Sequence, residues 1–197
     1  MHLQRVADDF AQGLMLADAR SPRCKTYSPG IGPHEEPAVV ALVLAEMRAF
    51  NPADHVSTAT EVPYGDSNGT ACDLCVGSGE LPDRWEWALE VKAARAIRNN
   101  GLPADETMKQ LMSPFADDRS ALTDCEKVGG FVRAAKHGLL VYGYDYPQRR
   151  LAPLLDMLDA LIPRRTRVVE RVEAPFSGLM HPHHREGRVV AWRVEKR

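Results

Sequence analysis

The chain has no apolar run approaching the roughly 20 residues that a membrane-spanning helix needs, so a spanning protein is not expected. It has only four cysteines, Cys24, Cys72, Cys75 and Cys125, and in a cytoplasmic protein these are expected to be free thiols and not a disulfide framework. Its net charge is only −2, which argues against a protein that binds nucleic acid through bulk charge alone. Gly30-Ile31-Gly32 is too short, and lacks the preceding strand, to cradle a phosphate, and reads as a turn. Ser67, Ser78 and Ser120 lack the strand-turn-helix setting that activates a nucleophilic serine. The N-terminus, Met1 to Asp9, is acidic and amphipathic and does not suit a secretory signal, so a cytoplasmic protein is expected. No repeat or low-complexity tract interrupts the chain.

What is present is enough for a full core. Hydrophobic residues make up 44% of 197 and charged residues 26%, the balance of a globular domain that needs no covalent staples. One domain is expected over 1–197, with a core at about 34–145, an N-terminal helix and loop at 1–33, and a C-terminal helix and basic β-hairpin at 146–197. Charge is uneven. Residues 164–197 hold nine Lys/Arg against four Asp/Glu, a surplus of five, while the remainder carries a deficit of seven. A basic tail on an acidic body hints at a polyanionic partner.

Periodicity divides the chain into elements. Leu3, Val6, Phe10 and Leu14 predict a helix over 2–19. Glu36, Val40, Val43, Leu44 and Met47 form the apolar stripe of a second helix over 34–50, with Pro37 tolerated in its first turn. Glu35 falls on a different face, so Glu36 is expected to point inward. Strands are predicted at 55–62, 70–77 and 85–93, with turns at Gly65-Asp66-Ser67-Asn68-Gly69 and Gly77-Ser78-Gly79. A short helix or loop spans 103–112. A fourth helix is expected from Asp118 or Ser120 to His137, striped by Leu122, Cys125, Val128, Val132 and Ala135 and capped by Gly138. A buried strand follows at 139–144, then a helix at 151–161 and strands at 166–173 and 187–195. Helix, three-strand meander, helix, strand predicts a mixed α/β sheet with helices on its faces and a crossover inside it.

The third strand carries the chemistry. In Glu86-Trp87-Ala88-Leu89-Glu90-Val91-Lys92, Trp85, Trp87, Leu89 and Val91 should share one face, and Glu86, Ala88, Glu90 and Lys92 the other. Glu90 and Lys92 then stand side by side. Asp73 lies in the preceding strand, and a hairpin would bring both acids and the lysine together. Carboxylates in such a group are a usual setting for a hard divalent cation, and a lysine beside it can orient water or stabilise charge.

This order, with an acid on the second strand and Glu-x-Lys on the third, resembles the PD-(D/E)xK superfamily of nucleases, the fold of many restriction endonucleases. The resemblance covers about residues 34–145. It implies an αβββαβ core and a metal-dependent nuclease acting on nucleic acid, with DNA the expected substrate. Asp73, Glu90 and Glu36 (or Glu35) would bind Mg²⁺ or Mn²⁺ with help from the Val91 carbonyl, and Lys92 would sit beside the attacking water. The proline common before the first acid is replaced by Cys72. Lys127, Arg95, Arg185, Arg188 and Arg193 are the candidate nucleic-acid contacts, and a homodimer is a further expectation. The alternatives are a non-catalytic nucleic-acid-binding or protein-interaction module on the same fold, and an enzyme acting on RNA.

The remaining clusters read as structural. Cys72-Asp73-Leu74-Cys75 lacks a second zinc half and is expected to be buried thiols. His181-Pro182-His183-His184 reads as a solvated or locally hydrogen-bonded loop. Asp124 and Lys127 read as an intrahelical ion pair. Tyr142, Tyr144 and Tyr146 are expected to pack or line a rim.

Overall fold

The computed structural model describes residues 1–21, 28–65, 69–79 and 84–197. Cys24, the 66–68 part of the first expected turn and Ser67 therefore lie outside the described residues. The elements are α1 (Leu3–Arg20), α2 (Glu36–Phe50), β1 (Ser57–Pro63), β2 (Ala71–Gly77), β3 (Trp85–Ala94), α3 (Thr107–Met112), a 3₁₀ turn (Ala116–Asp118), α4 (Ala121–Val128), β4 (Ala134–Tyr144), α5 (Ala152–Arg165), β5 (Arg167–Phe176) and β6 (Gly187–Glu195).

The six strands form one open mixed sheet in the order β1-β2-β3-β4-β6-β5. Only β3 and β4 run parallel, and the segment between them carries α3 and α4 across the sheet. The C-terminal hairpin is no appendage: β6 pairs with β4 from His137↔Val194 to Tyr144↔Gly187 and extends the central sheet. Alternation along β4 sends Leu140, Tyr142 and Tyr144 to one face, with α1 and α2, and Leu139 and Val141 to the other, with α4 and α5. The α2 stripe is as expected, with Val40, Val43, Leu44 and Met47 buried.

Three expectations need correction. The fourth helix stops at Val128, because Gly129-Gly130 follow it and weaken helix continuation. Val132 is 81% exposed and Ala135 is exposed, so neither belongs to its stripe. Gly138 caps nothing; it lies inside β4, opposite Leu89 and Arg193. A Cβ there would come within 2.7 Å of the Leu89 side chain and 2.8 Å of the Trp192 carbonyl, so close strand packing is what requires glycine. Trp85 does not share a face with Trp87. It packs in the α4/α5 cluster, while Glu86 meets the Met1 amine and Lys136, so the regular alternation of β3 begins at Trp87.

Candidate functional site

β2 and β3 pair at only three positions, Leu74↔Leu89, Cys75↔Ala88 and Val76↔Trp87. Beyond them the strands part, although β1–β2 pairing continues to Pro63↔Ala71 and β3–β4 pairing to Ala94↔Gly143. The parting leaves β3 amides facing an open wedge, and buried amides need acceptors. Carboxylates supply them. Asp73 Oδ2 accepts from the Val91 N–H at 2.8 Å, and Glu36 Oε2 accepts from the Ala93 N–H at 2.5 Å. A strand residue presents its N–H and C=O to the same side, so the Val91 carbonyl also projects from this edge.

Glu90 and Lys92 point to the α4 face, as alternation required. Glu90 is 1% exposed. Its Oε1 accepts from the Tyr64 hydroxyl at 2.5 Å and lies 3.1 Å from Lys127 Nζ. Lys92 Nζ lies 2.9 Å from Asp124 Oδ2 and 3.6 Å from Glu36 Oε1. Asp124 Oδ1 is also 3.4 Å from Lys127 Nζ. Three carboxylates, from α2, β3 and α4, thus share two ammonium groups, and with Asp73 on the Val91 amide the group has a formal charge of −2.

The electrostatics follow from this crowding. Burial pushes the Glu90 carboxyl well above its usual range, the Asp73 and Asp124 charges push the same way, and Lys127 opposes them. Glu36 is raised too, by burial first, with Lys92 and the Ala93 N–H opposing. Burial works against the charge on Lys92, but Glu36 and Asp124 outweigh it and raise its pKa. The two carboxylates thus favour the charged form of Lys92 in the metal-free site.

Glu36, not Glu35, enters the cluster; Glu35 is exposed and makes no side-chain cap bond. Both line a cleft of about 490 Å³ with Lys92, Ala93, Arg95 and Arg98. Among the described residues, no three His, Cys, Asp or Glu side chains are grouped closely enough to hold a metal ion as they stand. The lysines occupy positions between the carboxylates.

The other candidates are dispersed. Arg95, just past the end of β3, donates to the His34 carbonyl at 2.6 Å while lining the cleft beside Glu36 and Lys92. Arg188 is paired with Asp145 at 2.9 Å and Glu173 at 2.5 Å, and Arg193 with Glu195 at 3.2 Å. Arg185 is exposed. Cys72, Cys75 and Cys125 are buried free thiols. Tyr142 and Tyr144 pack in the core, and Tyr146, also buried, lines a cleft with Ile97, Pro147 and His183. The histidine loop is locally hydrogen-bonded, with His181 Nδ1 accepting from the backbone N–H groups of His183 and His184 at 3.1 Å; His181 and His184 are buried and His183 is exposed.

Sequence reasoning missed three contributors. Asp124 was legible only as a helical partner of Lys127; that contact exists, but Asp124 also reaches Lys92 across the crossover. Tyr64 carries no pattern that would mark it. Glu61 lies in β1 with left-handed backbone, φ 53°, and lines a cavity of about 130 Å³ with Glu36 and Asp73. A positive φ at glutamate leaves no trace in periodicity. Among the described residues no helix is long and apolar enough to cross a membrane. Comparisons with models of known protein families, with curated proteins and with solved structures found no match.

Proposed function

We propose that the chain is a divalent-metal-dependent phosphodiesterase with a restriction-endonuclease-like core, acting on nucleic acid and on DNA in particular. The observation that carries this reading is the wedge between β2 and β3. There Asp73 and Glu36 bind the β3 edge while Glu90 and Lys92 stand beside them on the same strand.

The donor chemistry fits Mg²⁺ or Mn²⁺. Carboxylates and a backbone carbonyl are hard oxygen ligands, and a formal charge of −2 matches one divalent cation. Asp73, Glu90 and the Val91 carbonyl would hold the ion, with Glu36 completing or orienting the set. When bound, such an ion lowers the pKa of water and polarises a phosphoryl oxygen.

The chain's own residues have separate tasks. Lys92, cationic and held by Asp124, offsets the negative charge that develops on a phosphodiester under attack. Asp124 keeps Lys92 in place and is a positioning residue. Tyr64 and Lys127 fix the Glu90 carboxylate. Burial of Glu90 restricts water around it, which strengthens every charge interaction in the wedge.

A second reading, a non-catalytic nucleic-acid-binding module, is favoured by one observation: Lys127 and Lys92 already neutralise carboxylates that a metal would need. The two readings differ in a direct assay. Plasmid, linear DNA and RNA are incubated with and without Mg²⁺. Metal-dependent cleavage supports the enzyme, and retarded migration without cleavage supports the module.

A further inference from the structure

The parallel strands β3 and β4 end at one margin of the sheet, where Ala94 lies opposite Gly143. In an open α/β sheet, the loops beyond the carboxyl ends of parallel strands enclose the usual ligand crevice. Three clefts lie along this margin and share walls. The first, about 490 Å³, opens at Glu36 and Lys92 and has Arg119 in its wall. Ala104 and Thr107 line it and also the second, about 500 Å³, which Arg149 and Arg150 line as well. Gln148 lines the second and also the third, about 590 Å³, together with His183 and Arg185. The three form one groove that leads away from the wedge, and each has the size that takes one small ligand group.

Positive charge is spread along the groove. Arg119, Arg149, Arg150 and Arg185 are exposed and form no ion pair among the described residues. The acids in the same walls are mostly matched by other cations. Glu106 is 2.9 Å from Arg98, Asp118 is 2.8 Å from Lys109, and Glu35 faces the Arg95 charge. Arg150 acts on Asp145, but Asp145 is already held by Arg188 at 2.9 Å. Beyond the wedge, Asp105 and Glu186 remain, two acids against four arginines. Between the arginines the wall is apolar. Ala96, Ala104, Met108, Pro153 and Leu154 line the second cleft, and Met108 is 45% exposed.

We propose that this groove holds a single-stranded segment of DNA continuing from the phosphate at the wedge, so that the preferred substrate has an unpaired stretch beside the cleaved bond. The role of the wedge rests on the phosphodiesterase reading; binding in the groove does not. A single strand offers phosphates and unpaired bases in alternation. The phosphates pair with the guanidinium groups. The bases lie on the apolar wall, where the Met108 thioether meets an aromatic face. In a duplex the bases are stacked inside and present only their edges, so Met108 and its neighbours would stay uncovered.

The test is fluorescence anisotropy of the full chain with labelled single-stranded DNA, a blunt DNA duplex of equal length and single-stranded RNA, in chelator, at several salt concentrations. Wild type should bind the DNA strand about tenfold or more tighter than the duplex. Arg149→Gln with Arg150→Gln should weaken strand binding by about tenfold or more and flatten its salt dependence by about 1.4 units of slope, or 0.7 for each phosphate contact. Met108→Gln should weaken strand binding by about twofold to tenfold and leave duplex binding unchanged. Arg133→Gln with Arg164→Gln removes the same charge from exposed arginines that line none of the three clefts, and should change strand binding by less than about twofold. Equal losses in the two double variants, or a duplex bound as tightly as the strand, overturn the proposal. RNA bound more tightly than DNA overturns the assignment to DNA. Cleavage is read separately with Mg²⁺. The expected binding pattern without cleavage refutes the phosphodiesterase reading and supports the groove; cleavage without single-strand preference does the reverse.

Discussion

Lys92 Nζ and Asp124 Oδ2 lie 2.9 Å apart, joining the third strand to the helix that crosses back over it. Thirty-two positions separate them in sequence, and both are largely buried, the lysine side chain at 16% and the aspartate at 5% exposure. The contact holds a cation at the mouth of the wedge and keeps it charged. Asp124→Asn should therefore lower turnover more than substrate affinity, by about tenfold or more, because it frees Lys92 without removing it. Cleavage kinetics that separate kcat from KM check this; an equal effect from Asp124→Asn and Glu126→Gln would deny Asp124 a positioning role.

Glu36 and Glu35 offer a paired test. Glu36 touches the Ala93 amide and Lys92, whereas Glu35 is exposed. Glu36→Gln should reduce cleavage at limiting Mg²⁺ about tenfold or more. Glu35→Gln should cost only a few tenths of a kcal/mol in stability through the helix dipole. Rate against Mg²⁺ concentration for both variants decides it, and a larger effect at Glu35 would place the wrong face of α2 in the site.

Glu90 links the site to pH. Its carboxyl pKa is raised by burial above the value it has when unfolded. The metal-free folded state therefore binds a proton more tightly than the unfolded state, and stability is lost as pH rises through the folded pKa. Glu90→Gln removes that loss while keeping an acceptor for Tyr64. Its Tm should exceed the wild-type value at about pH 8 and match it near about pH 4, below both pKa values. Thermal unfolding across pH without metal is the measurement, and a variant less stable than wild type at about pH 8 would show that Glu90 is stabilised as the anion.

Much of this was legible in the chain. Alternation in Trp87 to Lys92 correctly separated Glu90 and Lys92 from Leu89 and Val91, because a strand with one apolar face can hold only one register. The α2 stripe correctly distinguished Glu36 from Glu35. The fourth helix was overextended because Val132 and Ala135 continue its spacing, and periodicity does not weigh the Gly129-Gly130 break or the β-rich run from Leu139. The contacts of Tyr64 and Asp124 with strand β3 depend on how β2 leaves β3 and how α4 lies across the sheet. Those are tertiary relationships that no local pattern encodes. The same holds for the histidine loop, whose burial comes from packing against Tyr144, Tyr146 and Gly32.

The basic C-terminal segment should divide by residue. Arg188 is held by Asp145 and Glu173, so Arg188→Gln should chiefly lower stability, by up to about 1 kcal/mol. Arg185 is exposed, so Arg185→Gln should leave Tm unchanged and reduce the salt dependence of DNA binding by about one unit of slope. Gel shifts at several salt concentrations, beside thermal unfolding, separate the two effects.

The central claim is that the wedge between β2 and β3 cleaves phosphodiesters with a divalent ion, and Lys92→Ala tests it most directly. The variant is compared with wild type for plasmid and linear DNA cleavage, with Mg²⁺ and with chelator, beside circular dichroism to confirm the fold. The expected result is metal-dependent cleavage by wild type and a loss of about 100-fold or more in a folded Lys92→Ala protein. Wild-type cleavage rates in Lys92→Ala, or cleavage that persists in chelator, would contradict it.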